Sequence, residues 1–190
     1  MSRWEADGRG RLERAALALY GERGFDNTTV AEIAQRAGVT ERTFFRHFAD
    51  KREVLFPPEG ALQLQELLVS TVATAPASLA PIDAVAAGLE AVGAPLQERR
   101  DAARQRAAII AATPELRERE LIKLTAWSAA LADTLHRRGL SAAAARLTAE
   151  VAIVVFRIAF DRWIEDTNDR DFPPFVREAL DQLKAVTVGT

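Results

Sequence analysis

Apolar residues recur at three- and four-residue intervals in nine stretches, which predicts an all-α chain of about nine helices. The first helix runs from about Arg9 to Arg23, with Leu12, Ala15, Ala16 and Leu19 on its inner face and Gly24 at its end. Phe25 then plugs the core. A second helix opens at Thr29, which with Glu32 forms the S/T-x-x-E capping box. Val30, Ile33, Ala34 and Ala37 share one of its faces, and Gly38 stops it. Thr40 caps a short third helix that turns Phe44 and Phe48 inward. The gap is so short that the two helices must cross steeply, as in a helix-turn-helix. This stretch defines a first domain over residues 1–50 and leaves 51–190 for a second, all-helical domain.

The fourth helix is expected to begin at Lys51, capped by Asp50 with Glu53, but Pro57 and Pro58 interrupt it at once. It restarts by Glu59 and continues to about Thr74, with Leu64, Leu67, Leu68 and Val72 inward. The break is either a hinge or a fixed kink. Helix five starts at Pro81 and helix six covers roughly Arg99 to Ala112, where Arg99, Arg100, Arg104 and Arg106 read as a solvated face. Helix seven, capped at Thr113, places Leu121, Leu124, Ser128, Leu131 and Leu135 on one stripe, with Trp127 beside it. Helix eight follows Ser141 and is apolar on two sides: Leu147, Val151, Val154, Val155 and Ile158 on one, Ala152, Phe156, Ala159, Phe160 and Trp163 on the other. A helix apolar on both sides is buried on both sides. Ser141–Asp166 and Pro173–Val186 are therefore expected to form a homodimer face.

Composition narrows the chemistry. The chain has no cysteine and only two histidines, His47 and His136, so disulfides, cysteine-ligated zinc and a histidine metal site are not expected, and no cofactor is implied. No apolar run approaches the roughly 18 residues that span a membrane, and the polar start MSRWEADGRGR is no signal peptide, so a cytoplasmic protein is expected. The net charge of −2 does not advertise a nucleic-acid partner; residues 1–52 hold ten basic and eight acidic groups, an asymmetry of the right sign but small. An all-helical enzyme finds little support, since Asp133 and His136 have no nucleophile at a recognisable spacing.

Together the GFDNTTVAEIAQRAGV segment, the TERTFFRHF segment and the ADKREVL stretch resemble the tetracycline-repressor (TetR) family of transcriptional regulators over Ala15 to Leu55. The resemblance implies a DNA-binding first domain acting within a homodimer on a palindromic operator, and a second domain that binds a small molecule and dimerises. Candidate DNA contacts are Thr29, Thr40, Glu41, Arg42, Thr43, Phe45, Arg46, His47 and Lys51. Arg42 is the strongest base reader, because its fork can pair with guanine O6 and N7. Thr43 can meet a thymine methyl and Glu41 can accept from cytosine. Thr29, Thr40, His47 and Lys51 are expected at phosphates; a lysine in a first helical turn conflicts with the dipole, which an external anion would relieve. Phe45 stands where the family most often has tyrosine, so a phenolic phosphate contact is missing. Residues 1–8, with Arg3 and Trp4, read as an arm that either stays disordered or carries Arg3, Arg9 and Arg11 into a minor groove.

For an effector, Leu64, Leu68, Trp127, Phe156, Phe160 and Trp163 can line an apolar cavity, which fits a small, largely hydrophobic molecule. A weaker resemblance, over the TPELRER…RRG…AFDRW pattern, is to acyl-CoA-sensing members, in which case Arg104 or Arg106 would meet a phosphate or carboxylate. The alternative is a DNA-binding regulator with no small ligand, which a closed and filled second domain would favour.

Overall fold

Helix starts in this chain are set by side-chain caps and by proline. In the computed structural model, which describes residues 3–165, 167 and 169–188, the regular elements are nine α-helices and one short 3-10 turn. The helices are α1 (Arg3–Arg23), α2 (Val30–Arg36), α3 (Glu41–His47), α4 (Pro58–Thr74), α5 (Pro81–Gln97), α6 (Arg100–Ala112), α7 (Pro114–Arg137), α8 (Ala142–Trp163) and α9 (Phe172–Val188). The 3-10 turn covers Glu53–Leu55. The chain folds into two compact units, Met1–Ala61 with Arg104–Arg119, and Leu62–Ala103 with Glu120–Thr190.

The first unit is built on local capping. Thr29 Oγ1 accepts from the Glu32 N–H, and Glu32 accepts back from the Thr29 N–H at 2.9 Å. Gly38 takes φ +67°, a left-handed value that costs glycine nothing, and lets Val39 N–H reach the Ala34 carbonyl. Two residues later Thr40 accepts from the Thr43 N–H and starts α3. Phe44 and Phe48 are buried with Leu12, Leu19, Tyr20, Phe25 and Ile33. Three short helices enclose too little to be stable alone. Val54, Leu55 and Phe56 add to the core, and so do Ile109, Ile110 and Leu116 from the α6–α7 corner. The boundary expected at residue 50 is thus not where this unit ends.

Three expectations in this unit change. The helix starts at Arg3 rather than Arg9, so the segment read as an arm is helical; Met1, Ser2 and the side chains of Arg3 and Trp4 lie outside the described residues. Arg9 is held by both oxygens of Glu59 (2.9 and 2.7 Å) and by Glu13, with its guanidinium over the Phe48 ring. No α-helix begins at Lys51. Asp50 does accept from the Arg52 and Glu53 N–H groups, but only the 3-10 turn follows before Pro57 and Pro58 start α4. The arginines of the sixth helix are not simply a solvated face. Arg106 donates to the Leu55 carbonyl and lies over Phe56, whose ring also meets Arg119. Phe56, the residue before the prolines, is therefore clamped, which favours a fixed corner over a loose hinge.

The second unit packs its helices around one apolar core that includes Leu68, Val85, Leu89, Trp127, Leu131, Phe156, Trp163 and Phe172. Close approach is built in at Gly88, where a Cβ would lie 2.9 Å from the side chains of Leu68 and Val72. Arg138 does not stay at its own helix end: it donates to the carbonyls of Ala73, Ala75 and Pro76 and so satisfies the free end of α4. Leu121 is exposed, not on the inner stripe of α7, and Trp127 takes an inward place. On α8, Val155 turns inward while Leu147, Val154 and Ile158 stay exposed. The helix ends at Trp163, short of Asp166, which lies outside the described residues. The apolar side of α9 (Phe175, Val176, Ala179, Leu180) is spent on this core, and Arg177, Asp181, Gln182 and Lys184 face outward.

Candidate nucleic-acid interface

α3 is seven residues long and divides cleanly. Phe44 is buried, while Glu41, Arg42, Phe45 and Arg46 are exposed. Phe45 keeps 55% of its surface in contact with solvent, an unusual cost for an aromatic ring and the mark of a surface meant to be covered. Its ring stands edge-on to Phe44, which fixes its direction. Thr40 and Thr43 share a hydroxyl–hydroxyl hydrogen bond of 3.1 Å at the start of the helix. An arginine fork, an acid, a threonine methyl and an aromatic ring on one short helix form a set that can read base edges in a major groove.

The remaining expected contacts are placed differently. His47 is half-buried on the margin of α3, and a Cβ on Gly8 would come 3.7 Å from its Nε2. Thr29 is exposed, but its hydroxyl and its N–H are both engaged by Glu32, whose carboxylate also takes Arg23. These bonds, the Thr29 N–H first, hold the Glu32 carboxyl below its usual range. An anion thus already occupies the start of α2. Lys51 moves furthest from expectation. Its ammonium donates to the carbonyls of Phe25 (2.8 Å), Thr28 (2.9 Å) and Asp26 (3.5 Å) and lies over the Phe25 ring. The supposed conflict with a helix dipole does not arise, because Lys51 precedes no α-helix. It ties the α1–α2 loop, and Tyr20 Oη donates to its carbonyl at 2.6 Å. Burial, with Asp50 nearby, pushes the Tyr20 phenol well above its ordinary range, so it stays a donor.

One basic feature was not legible in the sequence. Arg11, Arg14 and Arg36 line a shallow cleft of about 250 Å³ beside Ala15 and Ala37. Arg36 is paired through both its Nη atoms with Glu22 at 2.6 Å. The three arginines lie 3 to 25 residues apart, so no local spacing announces them.

The residues expected to line an effector cavity separate by unit. Leu68, Trp127, Phe156 and Trp163 are buried together in the second unit, with Leu64 and Phe160 at their edge. Their rings meet one another: Trp127 with Phe156, Phe156 with Phe160, Phe160 with Trp163, at centroid separations of 5.6 to 5.7 Å. Trp163 Nε1 donates to Gln97. Arg104 belongs to the first unit and does not join this cluster. Nor do Asp133 and His136 form a pair, since His136 Nδ1 is bonded to the Leu140 carbonyl.

Residues 13–56 match the family described as bacterial regulatory proteins, tetR family, and residues 79–187 match the MftR C-terminal domain. The HTH-type transcriptional regulator TcmR of Streptomyces glaucescens is 39% identical over 84 residues, 44% of this chain and 36% of TcmR, so the match spans about a third of that relative. The MftR protein of Mycobacterium tuberculosis is 27% identical over 165 residues, 83% of this chain and 80% of its own length. Among solved structures, SmeT of Stenotrophomonas maltophilia in its triclosan complex superposes with a TM-score of 0.69 at 22% identity, covering 94% of this chain and 90% of SmeT. FadR of Bacillus subtilis in complex with stearoyl-CoA gives 0.65 at 19% identity, covering 92% and 96%. Likenesses at this level of identity show a shared fold.

Proposed function

Because the chain belongs to the TetR family of bacterial transcriptional regulators, we propose that it represses transcription by holding a palindromic operator as a homodimer and leaves the DNA when a small, largely hydrophobic effector binds. The observation that carries the DNA half is the division of α3 into a buried Phe44 face and an exposed Glu41, Arg42, Phe45 and Arg46 face. Arg42 pairs with a guanine and Glu41 accepts from a cytosine; Thr43 and Phe45 meet thymine methyls or sugar. Thr40, Arg46 and His47 serve the backbone. Lys51 and Thr29 leave the contact set, since carbonyls hold the one and Glu32 holds the other. The site of action is the cytoplasm, where the operator lies, and among the described residues no helix is long and apolar enough to cross a membrane.

Selection of bound DNA from a random library tests this directly. The expected product is a palindrome whose half-sites lie about one helical turn apart, roughly 34 Å. Arg42→Ala should lose about 1–3 kcal/mol of binding and relax one base position in each half-site. Full wild-type preference in that variant would remove Arg42 from the reading head.

Support for the effector comes from the apolar, aromatic core of the second unit and from the ligands of two structural neighbours, triclosan in SmeT and stearoyl-CoA in FadR. The ring-on-ring packing of Trp127, Phe156, Phe160 and Trp163 supports a second reading, a regulator with no effector. Thermal shift with stearoyl-CoA, free stearate and triclosan separates them. A rise in melting temperature that tracks loss of operator binding supports the effector. A flat response to all three, with no mass retained in native mass spectrometry, supports the second reading.

A further inference from the structure

The inner face of α8 is used up by the core of its own unit, through Ala145, Ala149, Ala152, Phe156, Ala159 and Trp163. Its outer face is apolar as well. Leu147 (67% exposed), Val154 (52%) and Ile158 (44%) stand in solvent with the half-buried Val151 between them. Those four residues alternate four and three apart, the repeat of a coiled-coil seam. Two charges flank the seam on one edge, each just before a seam residue: Glu150 before Val151 and Arg157 before Ile158. Ser128, buried in α7, donates to Glu150 Oε1 at 2.9 Å and holds that carboxylate in place. Arg157 is exposed and has Asp161 one turn further along its own helix.

Resting on the homodimer reading above, we infer that α8 packs antiparallel on α8 of a second copy in a single register, with Val151 opposite Val154, Leu147 opposite Ile158, and Glu150 opposite Arg157. A two-fold axis makes each of these pairs occur twice. In an antiparallel seam, residues on this edge meet their equivalents from the other helix, so the two opposite charges face each other. Every neighbouring arrangement is worse. A slip of one heptad in one direction sets Glu150 against its own copy, and in the other direction sets Arg157 against its own copy. A parallel pairing sets Arg157 against Arg162. The charge pair therefore selects the register by penalising the alternatives, while the apolar seam supplies the adhesion. Its occupant is a second copy of this chain, because the pattern is complementary to itself.

Charge reversal in the full chain, read by sedimentation equilibrium, tests the register. Glu150→Arg and Arg157→Glu should each weaken self-association by about tenfold or more, since each places like charges together twice. The double variant should recover the wild-type constant. Mixed together, the two single variants should form heterodimers in preference to either homodimer, and this readout also shows that both are folded. A double variant as weak as the singles, or a statistical mixture, overturns the register. If the swaps are silent while Leu147→Glu yields a monomer, the homodimer stands and only the register falls. If the wild type is itself a monomer at micromolar concentration, the homodimer reading falls and takes the register with it.

Discussion

The two units bury their aromatic rings in different company. In the first, the rings are edged by cations and carbonyls: Lys51 lies over Phe25, Arg9 over Phe48, and Arg106 and Arg119 over Phe56. In the second, Trp127, Phe156, Phe160, Trp163 and Phe172 mostly meet each other. Size explains the difference. A core of three short helices cannot surround a phenyl ring with apolar atoms on all sides, so the stems and heads of long basic residues complete the cover. A larger bundle has enough apolar surface to close on itself. One consequence is that basic residues in the first unit are not by default available to DNA. Another is that the second unit should fail through loss of volume, and the first through loss of specific polar bonds.

The largest expected effect tests the self-packed core. Trp163→Ala removes a fully buried indole that touches Phe160 and Phe172 and donates to Gln97. It should cost about 3–5 kcal/mol in urea unfolding, the range for a large aromatic truncated in a core that cannot collapse. A loss below about 1 kcal/mol would mean that the cluster is loose, and would remove the contrast with the first unit.

Next comes Lys51. If it is a structural tie and not a phosphate contact, Lys51→Ala should destabilise the first unit by about 1.5–3 kcal/mol, the worth of charged hydrogen bonds to otherwise unpaired carbonyls. The salt dependence of operator binding, measured where the variant is fully folded, should keep its slope, because no counterion-displacing contact is lost. A slope reduced by about one, with stability unchanged, would return Lys51 to the DNA.

What could be read from sequence follows the same division. Thr29 with Glu32, Gly38, and Thr40 with Thr43 act across two or three residues, so the helix-turn-helix and its exposed α3 face were legible. Proline acts on its own backbone, so the break at Pro57 was too. Lys51 was misread because its acceptors lie 23 to 26 residues earlier in the chain. Arg106 was read as solvated because its acceptor, Leu55, is 51 residues away. The sense of the apolar pattern in α8 was right, but periodicity could not say that Val155 would turn inward or that α9 would spend its apolar side on the core. Apolar residues announce burial without naming the neighbour, which is why the effector site stayed open.

The smallest effect concerns acid, and the two units should respond with opposite sign. In the first, burial pushes Asp50 upward, but bonds from the Arg52 side chain and from the Glu53 and Arg52 N–H groups outweigh it and hold the carboxyl below its usual range. Glu32 is held down by the Thr29 N–H and hydroxyl, and Glu59 by Arg9. A carboxyl with a depressed folded pKa contributes stability that is complete above its unfolded value, near 4, and is lost as pH falls through the folded value. In the second unit burial raises Asp161, against the pull of Arg157. Its ionised form costs stability at neutral pH, and that cost is relieved as pH falls through the raised value. Glu178, held down by Arg170 and then by Arg162, opposes this and belongs with the first set. Asp50→Asn should therefore lower stability at pH 7 and flatten the acid loss. Asp161→Asn should raise stability at pH 7 and leave the low-pH end unchanged. Amide hydrogen exchange followed separately on α3 and α8 peptides between pH 7 and pH 3 distinguishes them, once rates are corrected for the intrinsic pH dependence of exchange. The same sign for both variants would show that burial does not govern Asp161. Because these groups are largely exposed, solvent and salt screen them, and both shifts should shrink further at high ionic strength.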